Sequence, residues 1–398
     1  MWKIVILILL LASPSLAQQQ VSTESVGTDH KAKLAQARRL DGRKVVVCKD
    51  GASFHVPDGP TIDAQIGYLY KVDKIRDSWL WVVRTGGWIE ADQVVAQAEA
   101  EAHFTDILKK QPSADAYYHR GVMRSVEGQY NRAFNDYEAA LRLQPEMAKA
   151  FNGLGNCLWA TGKVYEALEQ YRQAIAADPK LAAAYNNRGN AWRTLGDHEA
   201  ALKDYNQALT VAGEVALILN NRGSTHLAMG NLNQAVEDYS RAILVDSHYS
   251  DAFNNRGFVM QMQGDFEKAI ANYRRAAQYD PQFFRAVNNA AWLRATCPDD
   301  RYRDGQLAVQ SAQQACELTD YKLWFCLATL AAAHAEAGDS DMAVQSQLKA
   351  ISLMPANLDE IEWDEQAARL ELYREKQPYR AKDYSSMART LKRALQSF

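Results

Sequence analysis

The sequence predicts a mostly α fold: a solenoid of repeated helical hairpins preceded by a small β domain. Two observations carry this. First, Gly121, Gly155, Gly189, Gly223 and Gly257 recur at one fixed interval, and so do Ala133, Ala167, Ala201, Ala235 and Ala269 and the series Tyr137, Tyr171, Tyr205, Tyr239 and Tyr273. A further glycine set, Gly128, Gly162, Gly196, Gly230 and Gly264, keeps the same step. A period held this way through five copies indicates stacked helical hairpins, not a closed enzyme core. Second, residues 44–95 break into short β-prone runs divided by Gly, Pro and Asp.

Composition narrows the function classes. The 398 residues are 47% hydrophobic and 23% charged, with a net charge of -3. No basic excess is present to neutralise phosphates, so nucleic acid is not an expected partner. The N-terminus, MWKIVILILLLASPSLAQQQ, places one Lys before an apolar run from Ile4 to Ala12 and a small-residue site at Ser15-Leu16-Ala17. This is the layout of a secretory signal peptide, residues 1–17, cleaved near Ala17. The apolar run is short of the ~20 residues that span a bilayer. The expectation is export to the periplasm or the exterior, with no membrane span in the mature chain. Five cysteines are too few for a disulfide scaffold. Cys157 reads as a core residue; Cys316 and Cys326 flank one expected helix–helix turn, and their spacing leaves a bridge open.

Residues 18–39 read as a flexible linker with a short helix near Lys31–Arg39, and residues 40–96 as the β domain. Within Ser78–Val83, Trp79, Trp81 and Val83 alternate with Leu80 and Val82, so aromatic and aliphatic side chains face opposite ways. The run DSWLWVVRTGGWIEADQVV resembles the end of bacterial SH3-type domains, in which a W-V strand precedes a G-W-I/V strand and a closing helical turn. That resemblance implies an SH3-like β-barrel that binds peptides or cell-wall material, with Tyr68, Tyr70, Trp79, Trp81 and Trp88 as candidates. The competing reading puts most of these rings in the core, because a barrel this small needs aromatic area to bury. Residues 97–113 read as a capping helix ended at Pro112.

Five equal frames follow: 114–147, 148–181, 182–215, 216–249 and 250–283. In each, the eighth place is Gly, the twentieth Ala, the twenty-fourth Tyr and the twenty-seventh Ala. This resembles the tetratricopeptide repeat, W-x2-L-G-x2-Y…A-x3-F…P, with Tyr, Phe or Leu in place of the first Trp. The resemblance implies a right-handed solenoid. Two divergent copies occupy 284–357, with an insertion near 297–305, and a capping helix and tail fill 358–398. Place seven is Arg120, Arg188, Arg222 and Arg256, and place 23 is Asp136, Asp204, Asp238 and Asn272. These read as contacts within a hairpin, worth ~0–1 kcal/mol each if exposed.

In that family the concave face is lined by places 2, 5, 6, 9, 12 and 13 of the first helix. Place five is Asn152, Asn186, Asn220, Asn254 and Asn288, and place six adds Asn187, Asn221, Asn255 and Asn289. Asn is a mediocre helix former, so such a column asks for a reason. A carboxamide both donates and accepts, which matches a peptide backbone; the alternative is bonding to neighbouring turns. Asn156, Asn190, Trp159, Arg193, Phe258 and Trp292 extend the same surface. No phosphate-binding loop, nucleophile elbow or zinc motif occurs, and His226 and His334, both at place eleven, read as packing residues. No cofactor, metal or catalytic residue is expected. The expected function is non-enzymatic: a scaffold whose groove holds a peptide or protein. The alternative is a cell-envelope protein in which the β domain binds wall glycan or peptide and the repeats act as a spacer.

Overall fold

The computed structural model describes residues 32–33, 35–40, 42–48, 52–57, 61–63, 69–72, 74–82, 87–358 and 360–381. The expected signal peptide, the linker up to residue 31 and the tail from residue 382 lie outside them. One compact unit runs up to Ala140 and a second begins at Leu141.

In the first unit a short helix, α1 (residues 35–39), precedes β1 (Lys44–Val47), β2 (Ser53–His55), β3 (Thr61–Asp63), β4 (Leu69–Lys71), β5 (Lys74–Arg76), β6 (Trp79–Val82), β7 (Gly87–Glu90) and β8 (Val94–Ala96). The strands form two antiparallel sheets, ordered β4-β1-β8 and β3-β2-β7-β6-β5. Val45 and Val47 face a shared core with Phe54, Leu80, Val82 and Ile89. Val46, pointing the other way, packs on Ala100 and Phe104 of α2 (Gln97–Lys110) and Met123 of α3 (Ala114–Val126). Ala37 and Leu40 are buried in the β core, so the end of the segment read as linker is part of the packed unit.

The competing expectation, that these rings fill the core, is overturned for the three tryptophans. Trp79, Trp81 and Trp88 are half-buried, while Leu80, Val82 and Ile89 are fully enclosed. Aliphatic side chains, Phe54 and α1 close the core, which leaves the indoles on the opposite face of their sheet. Tyr70 lies in β4 opposite Val45, and Tyr68 lies outside the described residues.

The hairpins are α3 with α4 (Tyr130–Leu143), α5 (Ala148–Ala160) with α6 (Val164–Ala177), α7 (Ala182–Thr194) with α8 (His198–Ala212), α9 (Ala216–Ala228) with α10 (Leu232–Val245), and α11 (Ser250–Met262) with α12 (Phe266–Tyr279). Divergent hairpins α13 (Phe284–Thr296) with α14 (Gly305–Glu317) and α15 (Trp324–Glu336) with α16 (Ser340–Ser352) follow, then α17 (Glu360–Arg374). The place-eight glycine explains the close approach within each pair. A methyl group added at Gly121, Gly189 or Gly223 would stand 2.8, 2.8 or 2.9 Å from Cε1 of Tyr137, Tyr205 or Tyr239. The turn glycine has a separate reason: Gly196 sits at φ +82, which lets Gly196 and Asp197 return N–H bonds to the last carbonyls of α7.

The contacts between places 7 and 23 are buried rather than superficial. Arg120, Arg188 and Arg222 reach Asp136, Asp204 and Asp238 at 2.6, 2.7 and 2.5 Å, each through both Nε and Nη2. The carboxylate partners raise the pKa of all three arginines. In the fifth hairpin Arg256 meets neutral Asn272 at 2.9 Å, and burial lowers its pKa instead.

The step from Phe284 to Trp324 is longer than the regular period. The excess is not confined to the segment 297–305. Most of it is in the turn after α13, which contains a 3-10 turn at Asp300–Tyr302, and the rest lies in the turn between α14 and α15.

Gly189→Ala is expected to lower the melting temperature: overpacking against Tyr205 costs about 1–3 kcal/mol, above the ~1 kcal/mol gained in helix propensity. Adding Tyr205→Leu should recover part of the loss, measured by circular dichroism melts. Asp238→Ala strands a part-buried guanidinium and should cost about 3–5 kcal/mol, read in the same melts.

Candidate peptide-binding face

The asparagine column is resolved into a ladder that joins successive hairpins. Asn187 Nδ2 donates to Asn152 Oδ1, Asn221 to Asn186, Asn255 to Asn220 and Asn289 to Asn254, each at 3.0 Å. Within hairpins, Asn186 Nδ2 donates to Asn187 Oδ1 at 3.1 Å and Asn254 Nδ2 to Asn255 Oδ1 at 3.2 Å. In the third to sixth repeats the place-six carboxamide therefore donates a hydrogen bond back to place five of the repeat before it. Two neighbouring places on one helix and a constant repeat step together produce this geometry four times.

Burial divides the candidate residues into two groups. Asn186, Asn220, Asn254 and Asn288 are 5, 8, 4 and 8% exposed, and the first three serve the junctions and not a guest. Phe258 and Trp292, expected on the groove, are also buried. Phe258 packs with Leu227, Tyr239 and Leu293, and Trp292 lies beneath Arg369 and Tyr379. Asn152, Trp159, Asn187, Asn190, Arg193, Asn221, Asn255 and Asn289 are half-exposed and Asn156 is exposed. Place nine also serves the hairpin it belongs to. Tyr171 donates its hydroxyl proton to Asn156 Oδ1 at 2.8 Å, and Tyr205 donates to Asn190 Oδ1 at 2.7 Å. Trp159 Nε1 donates to Thr194 Oγ1 of the next repeat at 3.3 Å.

The ladder ends where the sequence changes. The seventh repeat carries Thr329 at place six, and its hydroxyl donates to the Phe325 carbonyl in its own helix. Asn288 Oδ1, the acceptor that Thr329 does not serve, is buried without a hydrogen-bond partner among the described residues.

Other reactive groups are quiet. His226 Nε2 stands 4.0 Å from Asp238 Oδ2, and burial pulls its pKa below the ordinary 6.5; His334 shifts the same way for the same reason. Cys316 and Cys326 are free buried thiols, pushed up by burial to about 11 and about 12, and Cys157 is buried within α5. Among the described residues no three His, Cys, Asp or Glu side chains are placed to hold a metal ion, and no helix is long and apolar enough to cross a membrane.

Residues 126–182, 182–214 and 214–282 each match the tetratricopeptide repeat family. The chain therefore carries tetratricopeptide repeats, in a segment whose geometry is the hairpin stack described above. No protein of curated function matches the sequence. Among solved structures, the APC/C hetero-tetramer Cut9–Hcn1 is similar at a TM-score of 0.56 and 16% identity, over 70% of this chain and 52% of that one. This chain thus spans about half the length of that relative, and the likeness is one of fold. YrrB, a TPR protein with an unusual peptide-binding site, matches at TM-score 0.36 and 22% identity over 46% of this chain and 95% of its own. A thermophilic TPR protein of Thermus thermophilus matches at TM-score 0.41 and 21% identity, over 45% of this chain and 98% of its own.

Asn220→Ala is expected to leave Asn255 without its acceptor and to lower stability by about 1–3 kcal/mol. Asn288→Ala removes an oxygen that accepts nothing and should cost less. Parallel thermal melts of the two variants check the difference.

Proposed function

We propose that this chain is an exported, non-enzymatic scaffold that holds an extended peptide or protein segment along the first-helix face of its repeats. The observation that carries this reading is the row of half-exposed carboxamides at Asn152, Asn187, Asn221, Asn255 and Asn289. The ladder uses one N–H of Asn221, Asn255 and Asn289, and a carboxamide has a second donor and a second lone pair to offer. Donors and acceptors fixed at repeat spacing suit an extended backbone. Arg193 and Trp159 flank the row with a charge and an aromatic surface. Tetratricopeptide modules typically work by protein contact, and the leader-like N-terminus supports a place outside the cytoplasm.

The test is a peptide selected from a display library on the full mature chain. Its affinity is expected to fall at least tenfold, about 1.4 kcal/mol, in Trp159→Ala/Arg193→Ala, measured at a temperature at which circular dichroism shows the variant folded. Affinity that is unchanged in that variant removes the first-helix face from the proposal.

A second reading is favoured by the outer face of the five-stranded sheet. Lys74, Trp81, Trp88 and His55 form one cross-strand row, and Arg76, Trp79 and Glu90 the next. Trp81 and Trp88 lie 5.1 Å apart, and His55 meets Trp79 edge-on at 5.0 Å. A flat aromatic face rimmed by cations suits stacking of a wall glycan or peptide. Co-sedimentation of the full chain with isolated wall polymer should be lost in Trp81→Ala/Trp88→Ala; retention in that variant rejects this reading.

A further inference from the structure

The chain turns back after α17. Lys376 adopts φ 58, Gln377 donates its N–H to the Leu372 carbonyl at 2.8 Å, and residues 377–381 continue without helical structure. This segment lies on the first-helix side of the sixth and seventh repeats, against Trp292 and Thr296 (places nine and thirteen of the sixth) and Glu336 (place thirteen of the seventh).

Three kinds of contact hold it. The Arg369 guanidinium lies against two neighbouring rings, 4.8 Å from Trp292 and 4.6 Å from Tyr379, and the rings themselves are 5.8 Å apart. Arg380 Nη1 is 2.6 Å from Glu336 Oε2, while Arg303 Nε binds Oε1 of the same carboxylate at 3.0 Å. The Ala381 N–H donates to the Thr296 carbonyl at 2.9 Å. Thr296 ends α13, where a helix leaves its last carbonyls without internal donors. A main-chain bond, an aromatic–cation stack and an ion pair are the means by which grooves grip extended peptides.

The resident segment does not use everything beneath it. Trp292 Nε1 and the Tyr373 hydroxyl are buried with no hydrogen-bond partner among the described residues. Both side chains belong to the cluster against which Tyr379 packs. An unpaired buried polar group costs about 1–3 kcal/mol, so a guest that satisfies these groups gains over the resident.

We propose that this face is a binding site for an extended peptide carrying an aromatic residue followed by Arg, and that Gln377–Ala381 occupies it in cis. The inference deepens the scaffold reading and rests on it, but concerns a different stretch of the array. A tethered segment acts at an effective concentration of about millimolar for a short linker. The resident therefore excludes weak guests and admits strong ones.

The probe is a fluorescent synthetic peptide of residues 376–382, KQPYRAK, titrated by anisotropy into the full chain. Tyr379→Ala/Arg380→Glu should bind it at least tenfold more tightly than the wild-type chain does, and Glu336→Gln in that background should abolish the gain. Arg380→Gln is the second variant: it keeps the ring stack and leaves Glu336 paired to Arg303, so folding is preserved, and a two- to fivefold gain is expected. If both variants melt as wild type and neither gains affinity, the segment is a fixed cap and the proposal fails. The Trp159/Arg193-dependent peptide is added to the same variants. Its unchanged binding alongside a failed probe overturns only this site, whereas loss of both overturns the scaffold reading as well.

Discussion

The contact between the place-eight glycine and the tyrosine at place 24 is the constraint from which the repeat array follows. With no Cβ at place eight, the second helix of a hairpin lies close enough for the ring to rest on the backbone of the first. The ring is then wholly buried, as at Tyr171, Tyr205, Tyr239 and Tyr273. That separation brings place seven within reach of place 23, so the two-pronged Arg–Asp pairs form in a shielded setting. It also brings the phenol to place nine, where Asn156, Asn190 and Ser224 accept its proton. Packing, charge and polar contacts are thus three results of one missing methyl group.

Much of this architecture is legible in the sequence because it depends on identity at fixed intervals. Glycine, alanine and tyrosine in phase specify a hairpin, and the hairpins lie where the phase puts them. The asparagines are legible as a column but not as a ladder. Two adjacent carboxamides on one helix pair with the next helix only at a particular inter-repeat angle, and an angle leaves no mark in composition. Phe258 and Trp292 illustrate a different limit. Their place in the frame is that of groove residues, yet Phe258 is covered by large neighbours, and Trp292 by a segment that returns from beyond α17. Residue spacing within a repeat carries no information about a chain that comes back from outside it.

In the β unit the alternation in Trp79–Val82 is correct, and the assignment of its two faces turns on volume. Small aliphatic side chains from both sheets, with Phe54 and the residues Ala37 and Leu40 next to the first strand, suffice to close the core. The tryptophans are then left to form cross-strand pairs on the other side. Hydrophobicity alone does not say which of two apolar faces turns inward.

The amide ladder has a direction. Every bond between carboxamides of successive copies passes from a later copy to an earlier one, so the third, fourth and fifth copies are donor on one side and acceptor on the other. Identical junctions of this kind make the middle of the array modular. A whole repeat added in phase meets the same partners that it displaces, and neither neighbour has to change. The end of the row at Asn288 is not modular, because that oxygen has no successor among the described residues. Copies can therefore be gained or lost in the middle without new junction chemistry, whereas the copy that follows the row needs a residue such as Thr329, which bonds to its own helix and stops the pattern.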